Sequence, residues 1–189
     1  MKVSTSKKFL YAASSLILAL GFASAHAQNM KAVADIFGPG IEGQALLEED
    51  GRGNVHININ VKGEPGTLTP GLHGTHIHAV GACTPTFAAA GGHFDPGPNG
   101  NTNVVTNHPY HLGDIPNLEV NENGVGHLNA VTSRVTLSAS DTSVFDANGS
   151  AIIIHQNADQ VSCNADPATG LCTGVSGGPR IACGVIRLK

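Results

Sequence analysis

Val55-His56-Ile57-Asn58-Ile59-Asn60-Val61 alternates apolar and polar residues without interruption. That period of two marks a strand with one face buried and the other in water. On this register His56 shares the polar face with Asn58 and Asn60 and is a surface histidine. The same reading places strands at residues 31–37 and 41–47, joined by the turn Gly38-Pro39-Gly40, and another at residues 74–80. Asn123-Gly124 marks a turn before an alternating run at 126–137, where His127 has no evident partner. Ala151-Ile152-Ile153-Ile154-His155 is a short apolar strand ending in a histidine, and residues 180–188 form a last strand. Two long segments, 81–118 and 156–179, lack alternation. Long loops without their own secondary structure are uncommon in compact domains and are usually functional. The pattern predicts one all-β domain, a sandwich or barrel with two large loops and no internal repeat.

Composition supports this, with 24 glycines, no tryptophan and few long helix formers. The first 27 residues stand apart. Lys2, Lys7 and Lys8 precede an apolar stretch at residues 9–22, and Ala25-His26-Ala27 supplies a small-x-small cleavage site. These are the parts of a secretory signal peptide, with a mature domain over residues 28–189. The apolar stretch is shorter than the ~20 residues a membrane span needs, so no stable membrane association is expected.

Without that leader, seven basic residues face fourteen acids, a net charge of −7 with histidine neutral. No lysine or arginine cluster remains, which excludes a nucleic-acid partner. All four cysteines, Cys83, Cys163, Cys172 and Cys183, fall in the exported part. An even count in an oxidising compartment reads as two disulfides, with three pairings open.

The chemistry starts at His76-Ile77-His78. Imidazoles at i and i+2 leave the same face of a strand, so their ring nitrogens can meet at one metal ion. Other histidines sit at strand ends or in loops: His93, then His108 and His111 with Asp114, and finally His155.

Five stretches in order resemble the copper–zinc superoxide dismutase family, most closely its bacterial exported members. They are residues 71–78, Gly92-His93-Phe94-Asp95-Pro96, His111-Leu112-Gly113-Asp114, Ile153-Ile154-His155 with Asp159, and residues 180–186. The resemblance implies an eight-stranded Greek-key β-barrel or sandwich, an architecture for which this family is a known immunoglobulin-like example. It implies copper on His76, His78, His93 and His155, and zinc on His93, His111 and Asp114, with His93 bridging the two. It also implies that Asp159 links a copper-ligand histidine to a zinc-ligand histidine, and that Arg180 attracts superoxide to the copper. His73, of opposite parity to His76, turns away from the copper and bonds to backbone.

The family disulfide falls on Cys83 and Cys183, leaving Cys163 and Cys172 to pair within the second loop. In the chain-entropy view the first, closing ~100 residues, contributes about 4.7 kcal/mol, against roughly 2.5–3 for the second. One position departs from the family: where the first zinc histidine is expected, about eight residues past His93, this chain has Asn101. His108 is the substitute, giving His108-x-x-His111-x-x-Asp114.

The activity implied is dismutation of superoxide to oxygen and hydrogen peroxide in the periplasm or outside the cell, by a monomer or homodimer. A copper-only dismutase, with His108 not ligating, is the alternative within catalysis. A non-catalytic copper/zinc-binding protein is the alternative outside it, although storage needs neither Arg180 nor a bridging histidine.

Overall fold

The computed structural model describes residues 29–97, 100–103, 108–160 and 176–189. The expected leader and the expected Cys163–Cys172 disulfide lie outside the described residues. The elements in chain order are β1 Lys31–Gly38, β2 Ile41–Glu49, β3 Val55–Gly63, β4 Gly71–His78, a 3₁₀ turn at Phe87–Ala90, β5 Asp114–Val120, β6 Val125–Thr132, β7 Ala151–His155, β8 Arg180–Val185 and β9 Arg187–Leu188. Among the described residues no helix is long and apolar enough to cross a membrane.

The strands pair antiparallel in the order β2-β3-β6-β5-β4-β7-β8-β1-β9, and β1 also pairs with β2. That closes an eight-stranded barrel with β9 as a short additional strand on β1. The connections 64–70 and 133–150 each pass over two intervening strands, which makes the topology a Greek key.

The alternation in β3 puts Val55, Ile57, Ile59 and Val61 inside, where they meet Ala34, Ala45, Leu47, Leu118, Leu128, Ile152 and Ile154. β7 is apolar throughout because both of its faces are covered. Ile152 and Ile154 face the barrel interior, while Ile153 joins Cys83, Ala90, Ala151 and Cys183 in a second cluster under the first long loop. The Cys83–Cys183 disulfide fastens that loop to β8.

Several element boundaries differ from the pattern reading. The strand at 74–80 lies at 71–78, and the run at 126–137 ends at Thr132. The segment 81–118 is not wholly irregular, since it contains the 3₁₀ turn and the start of β5. In β5, Pro116 interrupts the apolar alternation, yet it falls on the exposed face while Ile115, Leu118 and Val120 are buried. His56 is exposed, 3.3 Å from Asp50. His127 is exposed as well but has partners, with Nδ1 2.8 Å from Asn60 Oδ1 and Nε2 2.6 Å from Asn129 Nδ2.

One buried carboxylate holds the connection after β6. Glu49 Oε2 accepts the Leu137 and Ser138 backbone N–H groups at 2.6 Å each, and Oε1 accepts the Ser138 hydroxyl at 2.6 Å. Burial pushes this carboxyl up, but the Ser138 and Leu137 bonds outweigh it and the group sits below its ordinary value. Glu49→Ala strands two buried donors and is expected to cost about 3 kcal/mol in urea unfolding. A loss smaller than a typical surface substitution would show that the connection is held by other contacts.

Candidate metal centre

Ile77 faces the barrel core, so period-two geometry sends His76 and His78 outward together beneath the two long loops. Three backbone bonds bring the first loop against them: Phe94 N–H to Ile77 O at 2.9 Å, Ile77 N–H to Gly113 O at 2.9 Å, and Gly113 N–H to Phe94 O at 2.8 Å. A Cβ on Gly113 would lie 2.3 Å from the Ile77 carbonyl oxygen, so only glycine permits this approach. His93 is thereby paired with His78 across an isolated bridge. β7 delivers His155, which pairs with Arg180 on β8.

The result is a cluster of buried imidazoles. Ring centroids are 4.0 Å apart for His76–His93, 4.9 Å for His76–His155 and 5.0 Å for His78–His93. His76, His78, His93 and His155 each offer a donor atom, all within 4.8 Å of one another. A second group, His76, His93, His108 and Asp114, meets the same condition. His111 adjoins it, with Nδ1 2.9 Å from Asp114 Oδ2 and Nε2 3.0 Å from Asn103 O. Asn101 takes no part. Its N–H donates to Asp95 Oδ2 at 2.8 Å, and its side-chain oxygen accepts the Asn103 N–H.

Hydrogen bonds decide which nitrogen of each ring carries a free lone pair. His78 Nδ1 faces Gly91 O at 3.0 Å, His155 Nδ1 faces Gly178 O at 2.7 Å, and His76 Nε2 faces Asp159 Oδ2 at 2.6 Å. Those acceptors place the ring protons there and leave His78 Nε2, His155 Nε2 and His76 Nδ1 as bases. These three atoms and His93 Nε2 are buried without a hydrogen-bond partner. An unpaired buried nitrogen costs free energy, and four that converge make a preformed nitrogen-donor site suited to copper.

On the other side of His93, its Nδ1 lies 2.6 Å from Asp114 Oδ1, while His108 Nδ1 and His111 Nδ1 lie 3.3 and 2.9 Å from Asp114 Oδ2. Three imidazole nitrogens around one carboxylate fit the donor set of tetrahedral zinc. Asp159 sits between the groups, 2.6 Å from His76 Nε2 and 3.6 Å from His108 Nε2. Gly74 makes room for it, because a Cβ there would lie 2.5 Å from Asp159 Oδ1. The Asn117 side chain accepts the Asp159 N–H at 2.9 Å. His73 turns the other way, with its two ring nitrogens each 2.8 Å from a carbonyl oxygen, of His155 and of Thr69.

Burial dominates the electrostatics. It drives His76 and His78 well below the ordinary histidine value, reinforced by His93, and draws His155 down to about 4. The rings are therefore neutral, the form that binds metal. Burial also pushes Asp114 up, yet His108, His111 and His93 outweigh it and hold the carboxyl well below the usual range. For Asp159 burial prevails, raising it to about 6.

Arg180 is half-buried and donates to Phe87 O at 2.7 Å and to Gly91 O at 2.6 Å. Gly91 O thus receives both Arg180 and His78, which fixes the guanidinium beside a candidate ligand. Periodicity gave no sign of these carbonyls, because backbone acceptors have no side-chain signature. Nor did it single out Arg134, whose guanidinium donates to His111 O at 2.9 Å, to Asp114 O, and to Pro109 O at 3.5 Å.

Residues 41–186 match the family model of copper/zinc superoxide dismutase (SODC). The superoxide dismutase [Cu-Zn] of Brucella abortus biovar 1 (strain 9-941) is 29% identical over 188 residues, covering 95% of this chain and 99% of that one. The enzyme of the same name from Brucella suis biovar 1 (strain 1330) is also 29% identical, with 95% and 98% covered. Among solved structures, the crystal structure of the clock protein EA4 superposes with a TM-score of 0.64 at 28% identity, over 84% of this chain and 94% of that one. With the closed barrel and its buried histidine cluster, the match over most of its length shows that the chain belongs to the copper/zinc superoxide dismutase family.

Proposed function

We propose that the protein dismutes superoxide at a copper site formed by His76, His78, His93 and His155, beside a zinc site formed by His93, His108, His111 and Asp114. The observation that carries this is the set of four buried, unpaired ring nitrogens converging within 4.8 Å. When bound, copper supplies one-electron redox chemistry that oxidises one superoxide to oxygen and reduces a second, with two protons, to hydrogen peroxide, while zinc is redox-inert.

The chain's own residues supply the rest. Arg180, with no carboxylate in ion-pair range among the described residues, is an uncompensated positive charge that draws the anionic substrate toward His78 and His155. The Phe87 and Gly91 carbonyls hold its planar fork in one orientation. His93 belongs to both donor sets, with Nδ1 beside Asp114 and Nε2 in the nitrogen cluster. Its Nε2 is therefore the atom placed to take up a proton and return it to reduced substrate. Asp159 holds His76 Nε2 and lies beside His108, so it keeps rings of both sets in register.

The disulfide and the bacterial relatives support an exported, periplasmic setting. Metal analysis with a dismutation assay on the reconstituted protein tests the reading. Near-equimolar copper and zinc with rapid turnover is the expected result. Full activity with copper alone would remove the zinc assignment, and bound metal without turnover would overturn the enzymatic one.

A further inference from the structure

We propose that Arg134 is a positioning residue for the second metal site, holding the backbone that aims His111 and Asp114. This rests on the two-metal reading above. Arg134 lies two residues past the end of β6, where Thr132 Oγ1 accepts its backbone N–H at 3.1 Å. It is thus anchored on the barrel wall rather than in the loop it grips. Its guanidinium reaches the carbonyls of Pro109, His111 and Asp114, namely the residue after His108 and the two candidate ligands themselves. Among the described residues no carboxylate lies in ion-pair range of it. Its donors are therefore directed at loop backbone.

Residues 111–114 close a turn through Asp114 N–H to His111 O at 3.1 Å, and through His111 N–H to Asp114 Oδ2 at 3.0 Å. The second bond draws on the same carboxylate that faces His93, His108 and His111. An ion at Asp114 would share that carboxylate with the bond that orders the turn. Arg134 supplies restraint through backbone carbonyl oxygens and leaves the Asp114 carboxylate to the ion. A planar guanidinium can span several carbonyls, whereas a lysine ammonium presents a single point charge on a flexible stem. Arg134 makes no hydrogen bond to His76, His78, His93 or His155, so its effect should fall first on the second site.

The test measures Zn²⁺ binding to copper-loaded protein by competition with a chromophoric chelator, with Co²⁺ absorption reporting the geometry of the second site. Arg134→Ala should weaken Zn²⁺ roughly 10- to 100-fold, the usual effect of losing a partner that orients ligands. Copper affinity should stay as in the wild type, and the Co²⁺ bands should broaden or weaken. Arg134→Lys should fail to restore affinity, and added guanidinium ion should partly rescue the alanine variant. If Arg134→Ala does not fold, Arg134→Lys and Arg134→Gln carry the same comparison. Wild-type Zn²⁺ affinity in these variants overturns the inference. An equal loss of copper and zinc together with metal-free stability also overturns it, since that is a general structural role. Wild-type protein that takes up no Zn²⁺ sinks the two-metal reading and this inference with it.

Discussion

Arg180→Ala is expected to slow dismutation by roughly 10- to 100-fold at low ionic strength, with copper and zinc contents unchanged. The family is a known case of electrostatic steering, and the resemblance assigns that role here to Arg180. A net charge of −7 over residues 28–189 repels a small anion at long range, and the second loop, residues 156–179, contains no lysine or arginine. Three other cations are engaged elsewhere. Lys31 pairs with Glu48 at 3.1 Å, Arg187 pairs with Asp35, and Arg134 is turned onto loop carbonyls. Arg180 is the cation aligned with the nitrogen cluster, paired in register with His155 and sharing the Gly91 carbonyl with His78.

Metal retention follows from the same contacts. Removing Arg180 leaves Gly91 O bonded to His78 Nδ1, and the disulfide and the Phe37–Phe87 ring contact still hold the first loop. The rate should therefore fall without loss of copper. The wild-type rate should decline with added salt, because screening shortens the reach of the guanidinium, and the variant should respond much less. Arg180→Lys should recover part of the rate through charge alone. A variant with the wild-type rate and salt slope would remove Arg180 from substrate attraction, and loss of copper would make it a structural residue instead.

How much of this could be read from the sequence differs by element. β3 and β7 were legible because each has a single dominant pattern, strict alternation in one and an unbroken apolar run in the other. β5 was hidden by Pro116 and by a start at Asp114, a residue claimed by the site. Its existence depends on pairing with β4, which lies far away in sequence, as well as with the adjacent β6. The imidazoles were visible as residue types, and His76-x-His78 needs only strand geometry to converge. Bringing His93 and His155 to the same point needs the Greek-key crossings and Gly113, which no local pattern specifies. The carbonyls of Gly91 and Gly178, which set the proton positions, carry no sequence signal at all. Arg134 counted only as a positive charge until the fold set it against residues 109–114.

The metal-free protein is expected to lose stability between pH 7.5 and pH 4.5. His155 is ordinarily half-protonated near 6.5 but is drawn to about 4 in the fold, first by burial and then by the charges of His93 and Arg180. As pH falls through 6.5 the unfolded chain therefore takes up a proton that the folded chain refuses, and folding is disfavoured by about 3 kcal/mol for this ring. His76 and His78, also held well below their ordinary value by burial and by His93, add in the same direction. Asp159 opposes them. Raised to about 6 by burial, it accepts a proton in the fold before it would in the unfolded chain, so acidification from 6 toward 3.8 favours the native state. One carboxyl on the rim of the site does not cancel three deeply buried rings, and the net slope is destabilising toward acid. Below this window Asp114 and Glu49, both held under their ordinary values, lose their contributions as they protonate. Bound metal engages the same lone pairs, so the loaded protein should hold a flatter profile until acid releases the ions. Urea unfolding of demetallated protein at the two pH values measures the difference. Equal stability at both, or a gain at pH 4.5, would mean that the rings do not remain neutral in the fold, and with that the case for four preformed lone pairs would fail.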